Sequence, residues 1–127
     1  MIKKEKKSKD IDLISKIVYS IEEVKGDEIK ILDLRHLDNS VCDYFLICNG
    51  TSNIHVRAIV SSIKKNVSKS IKEKPLQIEG LENANWVLID YVNIVVHVFQ
   101  KYIREYYNIE AFWGDAKLLL PNYASKN

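Results

Sequence analysis

The sequence predicts one α/β domain, a mixed β-sheet flanked by helices. Helix-period and strand-like stretches intermix along 127 residues in the order αββαβββα, the pattern of mixed rather than segregated classes. Residues 41–48 form a nearly continuous apolar run broken by Asp43, as a central strand covered on both faces requires. A hydrophobic content of 46%, with four Gly and two Pro, supplies one core and excludes a disordered or collagen-like chain. No apolar run reaches the roughly 18 residues of a membrane span, so no membrane partner is expected.

The first helix is read from Ile11, Ile14, Val18 and Ile21, widened by Ile17 and Val24, with Asp10 as N-cap and Gly26 as stop. Residues 29–34 alternate as a strand, and 41–48 follow as the central one. The segment Asn49-Gly50-Thr51-Ser52-Asn53 ends that strand and opens a second helix, where Thr51 or Ser52 caps free N–H groups. This helix is expected to run to about residue 74, burying Val56, Ile59, Val60, Ile63, Val67 and Ile71 and stopping before Pro75. Residues 76–78 read as a short strand, and 86–91 with 94–99 as an antiparallel hairpin about Val92-Asn93. Phe99, Ile103 and Tyr106 mark a third helix. Ile109, Phe112 and Trp113 anchor the next segment up to Gly114, and Leu118-Leu119-Leu120 is a last apolar patch. Residues 1–9 are read as a flexible basic tail, 10–117 as the domain and 118–127 as a C-terminal tail.

The net charge of +2 is unevenly spread: Lys3, Lys4, Lys6, Lys7 and Lys9 face only Glu5 and Asp10 in the first ten residues. The body is slightly acidic, which argues against nucleic acid as the main partner. The basic cluster has neither the apolar core of a signal peptide nor the Arg/Ser bias of a transit peptide. Cys42 and Cys48, the two cysteines, form no disulfide or zinc pattern and suit a reducing compartment. The expected location is cytoplasmic.

Few residues promise chemistry. The Gly50-Thr51-Ser52 turn could cradle a phosphate at a helix N-terminus, but it lacks the further glycines and the Lys-Ser/Thr of nucleotide loops. A nucleotidyltransferase would also need paired carboxylates for magnesium, and Asp43 and Asp90 are isolated. His36, His55 and His97 have no second ligand at metal spacing, so His97 reads as a hydrogen-bonded sheet residue. Arg57 and the lysines from Lys64 to Lys74 read as a solvated helix face. The aromatic content is more informative: two Trp and seven Tyr strain the interior of so small a domain, and these residue types dominate protein–protein hot spots. From the residues alone the reading is a non-enzymatic domain that binds another protein.

Residues Asp43 to Ser52 with His55-Val56, then Glu79-Gly80, Trp86 to Tyr91, Val95 to Phe99, Arg104, Tyr106-Tyr107 and Trp113-Gly114-Asp115-Ala116, resemble the ribosomal silencing factor family, the Iojap-related proteins. The resemblance covers about residues 10–117. It implies a nucleotidyltransferase-like topology without catalytic carboxylates, no enzymatic activity and no cofactor or metal. It also implies binding to the large ribosomal subunit through its fourteenth ribosomal protein, which sterically blocks association with the small subunit and represses translation. Carried onto this chain, the family's contact falls on Trp86, Asp90, Tyr91 and Val92. Strand parity sets Trp86 and Tyr91 on opposite faces. Where the family commonly has Gly-Asp, this chain has Val92-Asn93, and a β-branched residue resists positive φ. A longer or differently shaped turn is therefore expected. Two other readings stand beside this one: a large-subunit assembly factor with a secondary contact to ribosomal RNA through Arg57 and the Lys-bearing helix, and an enzyme of the nucleotidyltransferase type. Monomer and homodimer both fit the pattern.

Overall fold

The computed structural model describes residues 2–37, 42–108 and 117–119. In chain order the elements are α1 (Ile2–Glu23), β1 (Asp27–Asp33), β2 (Tyr44–Gly50), α2 (Asn53–Ile71), β3 (Gln77–Glu79), β4 (Trp86–Asp90), β5 (Ile94–Gln100), α3 (Lys101–Tyr107) and β6 (Lys117–Leu119). The strands build one six-stranded sheet in the order β3-β4-β5-β2-β1-β6. The central pair β2 and β5 is parallel, and every other pairing is antiparallel. Strand β2 is buried along its whole length, as the apolar run from Tyr44 to Cys48 requires, with polar Asn49 buried against Arg104.

Helices α1 and α2 cover one face of the sheet. Leu13, Ile14, Ile17 and Ile21 of α1 join Val56, Ile59, Ile63 and Val67 of α2 over Leu46, Cys48, Val87, Ile89, Val96 and Val98. Each such aliphatic side chain contributes about 1.5–3 kcal/mol by leaving water. Between the helices runs a polar seam, in which the Ser62 hydroxyl donates to the Ser20 carbonyl at 2.9 Å and the Asn66 amide to the Ser20 hydroxyl at 3.0 Å. The opposite face carries Leu32, Phe45, Ile47, Val95 and Phe99, with Trp86, Leu88 and Ile103 of α3 packed against them. That second face presents the candidate site.

Strand ends shift by one to three residues from the sequence reading, and three larger differences have a physical cause. Helix α1 starts at Ile2, so residues 2–9 are helical rather than a tail, and Asp10 sits inside the helix, largely buried, instead of capping it. Lys and Glu are strong helix formers, and neither Gly nor Pro interrupts the segment. Helix α2 ends at Ile71, short of residue 74, because Lys72 turns left-handed (φ 62°) and sends its N–H to the Val67 and Ser68 carbonyls. That C-cap, rather than Pro75, stops the helix. Leu118 and Leu119 pair with Leu32 and Ile31, so the expected C-terminal tail begins within the sheet, satisfying backbone groups that the edge of β1 would otherwise leave open. The anchors expected at Ile109, Phe112 and Trp113, the break at Gly114, Leu120 and the side chains of the expected Leu118-Leu119 patch lie outside the described residues.

Candidate functional site

The hairpin of β4 and β5 sets a partly exposed stripe against a buried one. Along β4 the exposure alternates, with Trp86, Leu88 and Asp90 half-buried and Val87 and Ile89 buried, as the period of two dictates. The ladder places Trp86 opposite Phe99 and Leu88 opposite His97. The Trp86 indole stacks on Phe99, centroids 4.9 Å apart and 25° between planes, and Tyr107 of α3 approaches it to 5.2 Å. Its Nε1–H donates to Nδ1 of His97 at 3.0 Å. With Nδ1 accepting, the neutral ring carries its proton on Nε2, which is buried without a partner among the described residues. Burial pushes the His97 pKa down to about 4, so the ring is uncharged at neutral pH. Phe45 meets it edge-on at 4.6 Å. The indole is thus held by stacking and by one directed bond, in an orientation fixed before any partner arrives.

At the other end of β4 the turn is tight. Val92 has φ 77°, and the Asn93 N–H donates to the Tyr91 carbonyl at 3.0 Å, closing a three-residue γ-turn. The turn is differently shaped from the usual two-residue hairpin turn, as expected, but not longer, and Val92 takes up the positive φ that its β-branched side chain resists. The surroundings compensate for the strain of a β-branched residue there. The Asp90 Oδ1 accepts the Val92 N–H at 2.7 Å, and the Asn93 carbonyl accepts the N–H groups of both Asp43 and Tyr44 at 2.8 and 3.0 Å. The Asp43-Tyr44 pair therefore braces the hairpin tip, and Val92 stands on it 60% exposed.

Of the four residues expected to bind a partner, the structure brings Trp86 and Asp90 onto one face of β4 and sets Val92 at its tip. Tyr91 is the exception. Parity turns it to the helix side, where it is 6% exposed within the main core. Burial, with the Glu73 charge nearby, pushes its pKa up to about 12. Its hydroxyl has no partner among the described residues, and it cannot share a surface with Trp86. Sequence reading missed three contributors. Leu88 lies on the Trp86 face, legible from parity. Leu76, whose N–H donates to the Asp90 carbonyl at 2.7 Å, is 71% exposed beside the tip. His97 is the partner of the indole, a pairing that depends on the hairpin register.

The Gly50-Thr51-Ser52 turn has a structural occupation. Ser52 caps α2 by accepting the His55 N–H at 3.1 Å. His55 Nδ1 accepts the Thr51 N–H at 2.9 Å, while its Nε2 bonds the Val24 carbonyl at 2.7 Å. The imidazole therefore takes a backbone amide that a phosphate would need and ties the turn to the end of α1. A Cβ on Gly50 would lie 3.1 Å from the His55 ring. Arg57 donates to the Leu81 and Glu82 carbonyls at 3.2 and 2.6 Å, so it braces the loop before β4. Buried Arg104 bonds the Glu28 carbonyl and the Asn49 side chain, tying α3 to β1 and β2. Burial pushes both Cys42 and Cys48 up to about 12, leaving unreactive thiols. Among the described residues no three His, Cys, Asp or Glu are grouped to hold a metal ion.

Fold and site define a small α/β domain that presents a clamped aromatic strand face and a braced hairpin tip. The chain matches the family described as "Ribosomal silencing factor during starvation" over residues 6–126, and it belongs to that family. It is 43% identical over 98 residues to the ribosomal silencing factor RsfS of Bacillus subtilis, covering 76% of this chain and 80% of that one. A crystal structure of a Chromobacterium violaceum protein superposes with a TM-score of 0.76 at 33% identity, over 81% of this chain and 84% of the other. A mouse protein named "Mitochondrial assembly of ribosomal large subunit protein 1" is 33% identical over 73 residues, 56% of this chain and 32% of its own length.

Proposed function

We propose that the protein binds the large ribosomal subunit through its fourteenth ribosomal protein and, by occupying the face that meets the small subunit, sterically blocks their association and represses translation. Trp86, Asp90 and Val92 carry the contact, with Leu88 and Leu76 beside them, and Tyr91 supports the strand from inside. The observation that carries this reading is the preset indole. Trp86 is half-buried, stacked on Phe99 and bonded to His97, so it offers a large amphipathic surface at little entropic cost. Such anchors contribute about 2 kcal/mol or more when a partner covers them.

The protein works without catalysis in this reading. The turn that resembles a nucleotide loop spends its amide and its hydroxyl on the His55 staple and the α2 cap. Assembly of the large subunit, with a secondary contact to ribosomal RNA, is a second reading, favoured by the basic face of α2 and by the name of the mouse relative. Cosedimentation with isolated large subunits tests the first. Wild type is expected to pellet with them and Trp86→Ala to lose at least about tenfold in affinity. Equal binding by both would remove the interface.

A further inference from the structure

A groove of about 710 Å³ lies between α2 and the chain entering β3. One wall is a stripe of α2, Ser61, Lys64, Lys65 and Ser68, spaced so that all four share a helix face. Lys74 and Gln77 line the other side. The sequence Asn53–Ile71 of α2 contains no acidic residue, so nothing on that wall offsets its lysines. Glu73 also lines the groove, but its carboxylate lies 3.3 Å from the Lys9 ammonium. Lys65 feels the Glu23 carboxylate of α1, whereas Lys64 and Lys74 make no ion pair among the described residues. The ladder sets Gln77 directly opposite Asp90, so the groove, on the α2 side of the sheet, borders the strand β3 that pairs with the site-bearing β4.

We propose that this groove is a second contact, which takes the phosphate backbone of single-stranded or loop RNA beside the protein gripped by the hairpin. Ammonium groups and hydroxyls are donors to fixed anionic oxygens, and no aromatic lines the groove to stack a base, so the contact follows the backbone rather than the sequence. It differs from the basic face read from the sequence: Arg57 is spent on the carbonyls of Leu81 and Glu82, and the lysines that count are those gathered at the groove. The placement on the ribosome rests on the proposed function; the affinity for RNA does not.

Fluorescence anisotropy with the full chain and a labelled oligouridylate of roughly 12 nucleotides tests it without ribosomes. Wild type binds, and the triple variant Lys64→Gln, Lys65→Gln, Lys74→Gln binds at least about tenfold more weakly at low salt, with the slope of log affinity against log salt reduced by about 2. Lys69→Gln with Lys72→Gln, outside the groove lining, and Trp86→Ala keep the wild-type affinity. Circular dichroism confirms that each variant is folded. No binding by wild type, an equal loss in the Lys69/Lys72 variant, or equal binding of an oligoglutamate of the same charge would overturn the groove. RNA binding that survives while large-subunit binding is absent would instead remove the hairpin reading alone.

Discussion

The His97 ring connects the stability of the fold to the geometry of the site, and acid should expose that connection. Folded, the buried imidazole resists protonation down to about pH 4; unfolded, it takes a proton near pH 6.5. Between those values the unfolded chain binds more protons than the folded one, so stability rises with pH across the window and is lost on acidification. A gap of about 2.5 units at 1.36 kcal/mol each makes the loss about 3 kcal/mol by pH 4. Protonation also turns Nδ1 from acceptor into donor and breaks its bond to the Trp86 indole. Asp33, held below the ordinary carboxylate range by its hydrogen bonds to Arg35, loses its contribution only at lower pH and stays out of this window. The assay is urea unfolding followed by far-ultraviolet circular dichroism, from about pH 7.5 to pH 4, for wild type and His97→Gln. Glutamine keeps an acceptor for the indole but does not titrate. The stability difference between the two should shrink or invert by about 3 kcal/mol as pH falls. Parallel pH profiles would refute the buried neutral imidazole.

Other substitutions test the rest of the hairpin. Tyr91→Phe removes a buried hydroxyl that has no partner among the described residues and should stabilise by about 1 kcal/mol in thermal or urea unfolding; destabilisation would mean that the hydroxyl is satisfied. Gly80→Ala should cost about 2–4 kcal/mol, because Gly80 has φ +93° and a Cβ there would lie 2.2 Å from the Trp86 carbonyl oxygen; a neutral effect would contradict that close approach. Val92→Gly relieves about 1–3 kcal/mol of backbone strain and loses about 0.5–1 kcal/mol to chain entropy. A net gain in the unfolding midpoint is expected, with weaker large-subunit binding as the exposed side chain is lost.

The sheet was legible because its strands carry their own pattern: the unbroken run through Phe45 and Ile47 announced a covered central strand, and Trp86 to Tyr91 announced half of a hairpin. Helix ends were less legible. Asp10 resembles a cap, yet the lysines and glutamate before it continue the helix, and Lys72 adopts the left-handed cap usually left to glycine. Motif likeness placed Tyr91 beside Trp86, whereas parity separated them, and parity prevailed because the α-helical layer encloses one side of β4. Neither His97 as the indole's partner nor Leu76 as the neighbour of the tip can be read without the register that joins β3, β4 and β5. Val92 is the reverse case. Propensity argues against its positive φ, and bonds from Asp90, Asp43 and Tyr44 impose it.

The most direct test is a subunit-joining measurement. Purified large and small ribosomal subunits are mixed under associating salt, with the protein in excess, and resolved on a sucrose gradient. Wild type should leave the subunits apart, with the protein comigrating with the large one, and Trp86→Ala should restore joined particles. Joined particles in the presence of excess, bound wild-type protein would contradict steric occlusion.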